Sequence, residues 1–368
     1  MDFDIILYKD TNCSEWNQYI SKIGESTYLN DWRFISYLEH FHDVIDNFSF
    51  IALTPDKFPL CVCTLGLTFF SELKTYEMSF SGSPCSIPAF SELKPSMRRK
   101  LSDQIYKIIF DYAVQKKVKL IRFEKNPLNI SSCRFNSVLC EYMFEPLRYN
   151  LTCGVSNTLI INLNEKQDIL EKNLSKYHHK HIRRSKKKGL SVKIYNDKNN
   201  KESLKEKVDE FRYAHIKAAG RETRSIDTWT IMYEAAKNGK ATLFLTYLEN
   251  IPISYLFCGE YDKMAFGWSQ VNVEQYQKQY SPRHLLEWES ILYYKRNGFS
   301  FYELGIRFFG PNLLYTPSVK EINISVFKER YGGILYPKTN WLAFMDNDYL
   351  TSQHEKLLSN IGIINHPS

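Results

Sequence analysis

One order of elements, strand-like runs first and a helix-strand unit after them, is met twice along the 368 residues, and it limits the fold more than any other feature of the chain. In the first half the pattern predicts a helix over 28–41, entered at Asn30 or Asp31, and strands over 48–54, 60–69 and 75–80. A turn-rich stretch, 81–88, follows. A helix then starts at Pro95 with Leu101, Ile105, Ile108 and Tyr112 on one face, and leads into a buried-type strand over 118–123. The second half opens with a strand over 157–163, a basic helix over 166–188, a strand over 190–195 and two helices near 201–219 and 227–238. Strands over 241–249, 253–261 and 264–270 come next. Ser281-Pro282 opens one more helix, with Leu285, Trp288 and Leu292 on one face and Asn297-Gly298 as its stop, before a strand over 299–304. The expected class is α/β (α+β), with mixed sheets flanked by helices in two similar units, 1–154 and 155–345, and a C-terminal tail, 346–368.

A chain that is 43% hydrophobic has enough apolar side chains to give each unit a core. No apolar run approaches the roughly 18 residues a membrane helix needs, and the start of the chain is polar and acidic, so a soluble protein without a secretory address is expected. The eight cysteines, at 13, 61, 63, 85, 133, 140, 153 and 258, have neither CxxC spacing nor the density of a disulfide scaffold, which fits a reducing cytoplasm. Cys61 and Cys63 alternate along a strand and should share its core face, and Cys258 in an apolar strand should be an inert thiol. The formal charge of +7 is local: eight Lys and Arg and no acid lie between 172 and 188, and the remainder carries about −1. Leu170, Leu174 and Tyr177 should turn one face of this basic helix to the core. Its outer face is open to three readings: plain solvation, docking of a polyphosphate or CoA-like donor, and docking of an aminoacyl-tRNA. His178 and His181 share a face at a metal-compatible spacing, but no carboxylate or thiol nearby completes a set, and no metal is expected.

The strongest local signal for chemistry is a strand, an irregular loop, a helix N-terminus and a further strand, because the free N–H groups of such a helix end accept an anion. Here that end is Tyr280-Ser281-Pro282-Arg283-His284, with two cationic donors where helix stability alone would prefer acids. Trp268 and Ser269 at the strand end, and Tyr276 and Tyr280 in the loop, are either cleft-lining or core residues. Arg221 and Arg224 flank the helix-helix junction after Gly220, as fork donors to a phosphate or as solvated arginines.

Four segments in one order resemble the FemABX family, whose members carry two tandem GNAT-like domains and transfer amino acids or acyl groups to amines. They are Met264-Ala265-Phe266-Gly267-Trp268-Ser269, Ser281-Pro282-Arg283-His284-Leu285-Leu286-Glu287-Trp288, Tyr302-Glu303-Leu304-Gly305 and Val326-Phe327-Lys328-Glu329-Arg330-Tyr331-Gly332-Gly333. Weaker echoes lie at 28–32 and 176–189. The resemblance implies that the family's Phe-Lys pair falls on Phe327 and Lys328, with the lysine beside the donor or the developing oxyanion. It also aligns Glu303 with a position where the family usually has Asp; there it would take a proton from the attacking amine, or simply orient Arg307 or cap a neighbouring segment. Two departures bear on the donor. The Q/R-x-x-G-x-G/A pyrophosphate loop of acetyl-CoA enzymes is absent, since 277–282 holds no glycine, and no segment between 163 and 241 is long enough for the helical arm that tRNA-dependent members often insert.

The expectation is therefore a cytoplasmic N-acyltransferase with Glu303 and Lys328 as catalytic residues. Its donor, expected to be acyl-CoA such as acetyl-CoA, would meet Trp268, Ser269, Tyr276, Tyr280, Ser281, Arg283, His284 and Phe327, with Arg221 and Arg224 on a phosphate. The acceptor would be a small-molecule or nucleotide-linked amine, such as an amino sugar or a cell-envelope precursor. Aminoacyl transfer from tRNA, or a non-catalytic module that binds nucleic acid or an anionic surface through 172–188, are the alternatives.

Overall fold

The computed structural model describes residues 2–128 and 144–361, so Cys133 and Cys140 lie outside the described residues. The chain forms two compact units, one of Met1–Asn157, Arg307–Val326 and Pro337–Ser368, the other of Thr158–Ile306 and Phe327–Tyr336. After leaving the first unit near the expected boundary at Gly154, the chain returns to it twice.

In chain order the elements are β1 (Asp4–Leu7), α1 (Cys13–Ile20), α2 (Trp32–Glu39), β2 (Val44–Asn47), β3 (Phe50–Leu53), β4 (Pro59–Cys63), β5 (Gly66–Phe70), β6 (Thr75–Met78), β7 (Cys85–Ser86), β8 (Ala89–Phe90), α3 (Pro95–Gln115) and β9 (Val118–Lys125). There follow β10 (Thr152–Asn162), α4 (Gln167–Asn173), α5 (Lys176–Lys187), β11 (Leu190–Tyr195), α6 (Leu204–Ala219), α7 (Ile226–Lys237), β12 (Ala241–Leu248), β13 (Ile251–Tyr261), β14 (Met264–Asn272), α8 (Glu274–Tyr280), α9 (Pro282–Arg296) and β15 (Phe301–Gly305). The last are α10 (Val319–Glu329), β16 (Ile334–Phe344) and α11 (Asn347–Ile361), all three beyond the reach of the sequence pattern.

In the first unit β1, β3, β4 and β8 make an antiparallel sheet, and β2, β5, β6 and β9 line up in a second, where β6 and β9 run parallel. The run expected as one strand over 60–69 is β4 and β5, one in each sheet. Gly66, which starts β5, lies so close to Phe80 that a Cβ there would meet the ring at 2.6 Å, a packing only glycine allows. Cys61 and Cys63 are both buried, with sulfurs 3.9 Å apart, as the alternation predicts. On α3 the buried face carries Leu101, Ile105, Ile109 and Tyr112; Ile109 is buried in place of the expected Ile108, because the buried face also takes in Arg98, Ser102, Tyr106 and Ala113 and so is centred nearer position 109.

The second unit is a sheet in the order β11-β12-β13-β14-β15-β10, antiparallel except for the β14–β15 pair. Helix α9 packs on β11, β12 and β13, and α5 packs on α9. Leu285, Leu286, Trp288, Ile291 and Leu292 are all buried there, each contributing about 2 kcal/mol by leaving water. The basic run expected as a single helix is two, α4 and α5, broken at Leu174-Ser175. The Ser175 hydroxyl caps α5 by accepting from the His178 amide at 3.2 Å. This break resets the helical phase: Leu170 and Leu174 are buried as expected, but Tyr177 is 48% exposed and His178, Ile182 and Ser185 face the core instead.

Candidate active site

Strands β14 and β15 share three pairs, Met264 with Phe301, Ala265 with Tyr302 and Phe266 with Glu303, and then part. β14 continues to Asn272 paired with β13 on its other side, so beyond Phe266 the edge that faced β15 has no strand against it among the described residues. Unpaired strand-edge N–H and C=O groups are strong hydrogen-bonding sites for an extended ligand. Space is open there, since a Cβ on Gly267 would meet nothing within 4 Å. At the end of β15, Gly305 adopts φ +95°, in the left-handed region that favours glycine, and the Lys328 ammonium nitrogen lies 3.2 Å from where its Cβ would be. A side chain at 305 would take the space of that ammonium.

Lys328 sits in the last turn of α10. Its Nζ makes no hydrogen bond or ion pair with any described residue. Burial lowers its pKa from the ordinary lysine value, Arg283 lowers it further, and Glu287 and then Glu303 oppose the shift. The turn that carries it is docked on the start of α9: the Tyr331 hydroxyl donates to the Arg283 and His284 carbonyls, and the Arg283 guanidinium lies 4.2 Å over the Phe327 ring. Arg283 also has its pKa lowered by burial, and its Nε is buried without a partner among the described residues.

Three imidazoles complete this wall. His178 Nε2 donates to the Phe327 carbonyl at 3.0 Å, and His181 Nδ1 is hydrogen-bonded to the Ser281 hydroxyl at 2.7 Å. The His284 ring stacks on His181 at 4.5 Å and meets His178 and Phe327 edge-on, while both of its nitrogens are buried without a hydrogen-bond partner among the described residues. Burial, with the neighbouring His178, His181 and Arg283 charges, pushes the His284 pKa down to about 3. Burial likewise pushes His178 down to about 4, so both rings are neutral at pH 7. Ser281 itself is left-handed at φ +54°, and its hydroxyl, turned to His181, does not cap α9. A non-glycine residue in that conformation costs about 1–2 kcal/mol. Hydrogen bonds from Ser185 to the Tyr280 and Ser281 carbonyls hold it. The stretch expected as an irregular loop before this point is helical, as α8, and Tyr276 and Tyr280 pack partly on the core from it.

Glu303 is buried and accepts a hydrogen bond from Thr158 at 2.7 Å. Trp268 and Ser269 lie on β14 just past the split, the tryptophan half-buried against Phe257 and Phe266. Arg224 and Arg221 part company. Arg224 is 7% exposed, donates to the Ser269 hydroxyl at 2.8 Å and lies 4.5 Å over Trp229, whereas Arg221 is exposed. The reading of both as solvated loop residues fails for Arg224, whose guanidinium is held inside by the Ser269 hydroxyl and the Trp229 ring.

One residue of this cluster escaped the sequence reading. Glu287 is 3% exposed and accepts from the Tyr302 hydroxyl at 2.8 Å. The signal was there: a carboxylate at i+4 from Arg283, inside a helix segment otherwise made of Leu285, Leu286 and Trp288. Cys258 is buried with its pKa raised by burial, as an inert core thiol should be. On the outer side of α5, a hollow of about 500 Å³ is lined by Lys176, His179, Lys180, Arg183, Arg184, Lys187 and Lys188. Among the described residues no group of three or more His, Cys, Asp or Glu is arranged to hold a metal, and no helix is long and apolar enough to cross a membrane.

Comparison with known proteins is informative only at the level of structure: no protein-family model matches the chain, and no curated protein matches it in sequence. Among solved structures, FemX is similar with a TM-score of 0.64 and 12% identity, over 95% of this chain and 99% of that one. The L-PGS of Bacillus licheniformis is similar with a TM-score of 0.57 and 12% identity, over 94% of this chain and 95% of that one. A tandem GNAT protein from the clavulanic acid biosynthesis pathway has a TM-score of 0.52 and 9% identity, over 93% and 98%. The chain has the tandem GNAT fold.

Proposed function

We propose that the protein is an N-acyltransferase, which moves an acyl group from an activated donor to the amine of a nucleotide-linked sugar or a cell-envelope precursor. The observation that carries this reading is the half-buried Lys328 ammonium, without a partner among the described residues, against Gly305, at the point where β14 and β15 separate. The open β14 edge suits an extended donor whose amide groups pair with strand backbone. The amine attacks the donor carbonyl, and Lys328 stabilises the oxyanion that forms, which is where acyl transfer gains most from a fixed charge. Glu303 accepts the proton lost by the amine, and the donor's thiolate or ribose hydroxyl leaves as the carbonyl reforms. The anion of the donor would meet Ser281, Arg283 and His284 at the start of α9, with Trp268, Ser269, Tyr276, Tyr280 and Phe327 along its path, and Arg224 rather than the exposed Arg221 near Ser269.

The preferred donor is acyl-CoA. A second reading, aminoacyl transfer from charged tRNA, is favoured by the six lysines and arginines that line the hollow on α5, since a row of cations matches a phosphodiester backbone. Thiol release from acetyl-CoA and transfer from a charged tRNA, each measured with amino-sugar nucleotides as acceptors, separate the two. Turnover with acetyl-CoA that resists ribonuclease supports the first, and ribonuclease-sensitive transfer the second. Turnover with neither, together with polyanion binding that is unchanged in Lys328→Met, would replace both with a non-catalytic binding module.

A further inference from the structure

Helix α5 has two faces, and only the inner one enters the chemistry above. On that side His178 and His181 reach Phe327 and Ser281, and Ser185 reaches the junction of α8 and α9. On the other side Lys176, Lys180, Arg183, Arg184 and Lys187 are exposed, and none of them pairs with an acid among the described residues. The hollow of about 500 Å³ lies among these side chains and Lys188, and its size is that of a small-molecule pocket. Helices elsewhere in the chain set opposite charges one turn apart, as in Lys107 with Asp111 at 2.6 Å on α3 and Lys205 with Asp209 at 2.7 Å on α6. On α5 the reverse holds. Lys176 and Lys180, Lys180 and Arg184, Arg183 and Lys187, and Arg184 and Lys188 are i,i+4 neighbours of like sign, an arrangement that weakens a helix. Lys176 is also the first residue of α5, in a first turn without an acid, where the helix dipole opposes a cation. Exposed side chains gain no packing that offsets this repulsion, whereas a multivalent anion in the hollow removes it.

We propose that this outer face of α5 binds the diphosphate handle of the amine acceptor. The proposal deepens the acyltransferase reading and rests on it: the start of α9, on the inner side of α5, takes the anion of the donor, so a second anion-ready place on the same helix fits the second substrate. Both ends of the hollow are tied to the walls of the candidate site. The Ser175 amide, just ahead of Lys176, donates to the Arg330 carbonyl at 3.0 Å, in the turn that follows Lys328. At the other end the Lys188 ammonium donates to the Gln279 carbonyl at 2.8 Å, near the end of α8. The stretch between Lys176 and Lys188 rises only about 18 Å, the reach of a small ligand. No Phe, Tyr or Trp lines the hollow, so it offers a base nothing to stack on and makes its contacts to phosphate. A diphosphate ester is the chemistry shared by a nucleotide-linked sugar and a lipid-linked envelope precursor.

Isothermal titration calorimetry of the full chain tests this without turnover. Pyrophosphate binds the parent, and the double variant Arg183→Gln/Lys187→Gln, a change confined to exposed side chains, weakens it by about tenfold or more. Lys186→Gln removes a like charge from the same helix, but one that pairs with Glu289 at 2.8 Å and does not line the hollow, and the affinity changes by less than about twofold. Absence of binding overturns the proposal, and so does equal weakening by Lys186→Gln, which is what a diffuse basic field gives. UDP-glucosamine in solution and a lipid diphosphate in phosphatidylcholine vesicles separate the two sources: the one that the parent binds and the double variant loses is the acceptor class, and loss of neither overturns the proposal. An RNA duplex that binds more tightly than pyrophosphate and displaces it gives the hollow to tRNA instead. In acyl transfer the double variant raises the acceptor KM by about tenfold with kcat retained, and an unchanged KM removes the acceptor from the hollow. Pyrophosphate binding that the double variant loses, in a protein that transfers no acyl group, sinks the proposed function and leaves the phosphate site standing.

Discussion

The first turns of α3 and α9 both begin with proline and both put an arginine into the interior, yet they treat that charge in opposite ways. In the first unit Arg98 is 4% exposed and fully answered: it pairs with Glu25 at 2.6 Å and with Glu145 at 2.9 Å, lies over the Phe90 ring, and has its pKa raised by these carboxylates against burial. In the second unit Arg283 keeps a buried Nε without a partner among the described residues, the neighbouring His284 has two such nitrogens, and the Lys328 pKa is lowered by burial. Buried polar groups are normally satisfied, and an exception calls for a reason. The closed cluster holds structure together, while the open one has bonds left to give.

This contrast can be broken by substitution. Arg98→Met leaves two carboxylates without their cation and should lower the unfolding free energy by about 3–5 kcal/mol, read from urea denaturation. Near-parental stability would mean that the first cluster holds nothing. Lys328→Met should behave in reverse: its stability stays within about 1 kcal/mol of the parent, whereas acyl transfer falls about a hundred- to a thousandfold. A large loss of stability with intact turnover would make Lys328 a structural residue like Arg98. The smallest effect is a pH dependence confined to the second unit. His178 titrates at about 4 in the folded chain against 6.5 ordinarily, so the unfolded chain takes up the proton first. Its contribution to stability is complete above pH 6.5 and is lost as the pH falls toward 4, by roughly 3 kcal/mol. His178→Gln should flatten that slope of unfolding free energy, and an unchanged slope would show that the imidazole is not held neutral by its burial.

Local pattern revealed a good part of the fold. Periodicity located α3, α9 and strands β11 to β15, because a repeated spacing reports directly which face of a local element is apolar. It missed α10, β16 and α11, and it ran α4 into α5, because the break at Ser175 depends on a cap and on a hydrogen bond from the Ser175 amide to the distant Arg330 carbonyl. In the site the ordered motifs pointed to Ser281, Arg283, His284, Glu303, Phe327 and Lys328, and of these the fold gathers Ser281, Arg283, His284, Phe327 and Lys328 around one wall.

By itself the sequence determined two α/β units, a basic helix surface and a cationic helix start after Ser281, since each is a property of neighbouring residues. Tertiary structure alone decided which cations lose their water and which carboxylates answer them. It buried Arg224 while leaving Arg221 exposed, and it brought His178 and His181 to Phe327 and Ser281 across separations of 149 and 100 residues. Charge state in a core depends on desolvation and on the nearest opposite charge, and both are set by residues far apart in the chain.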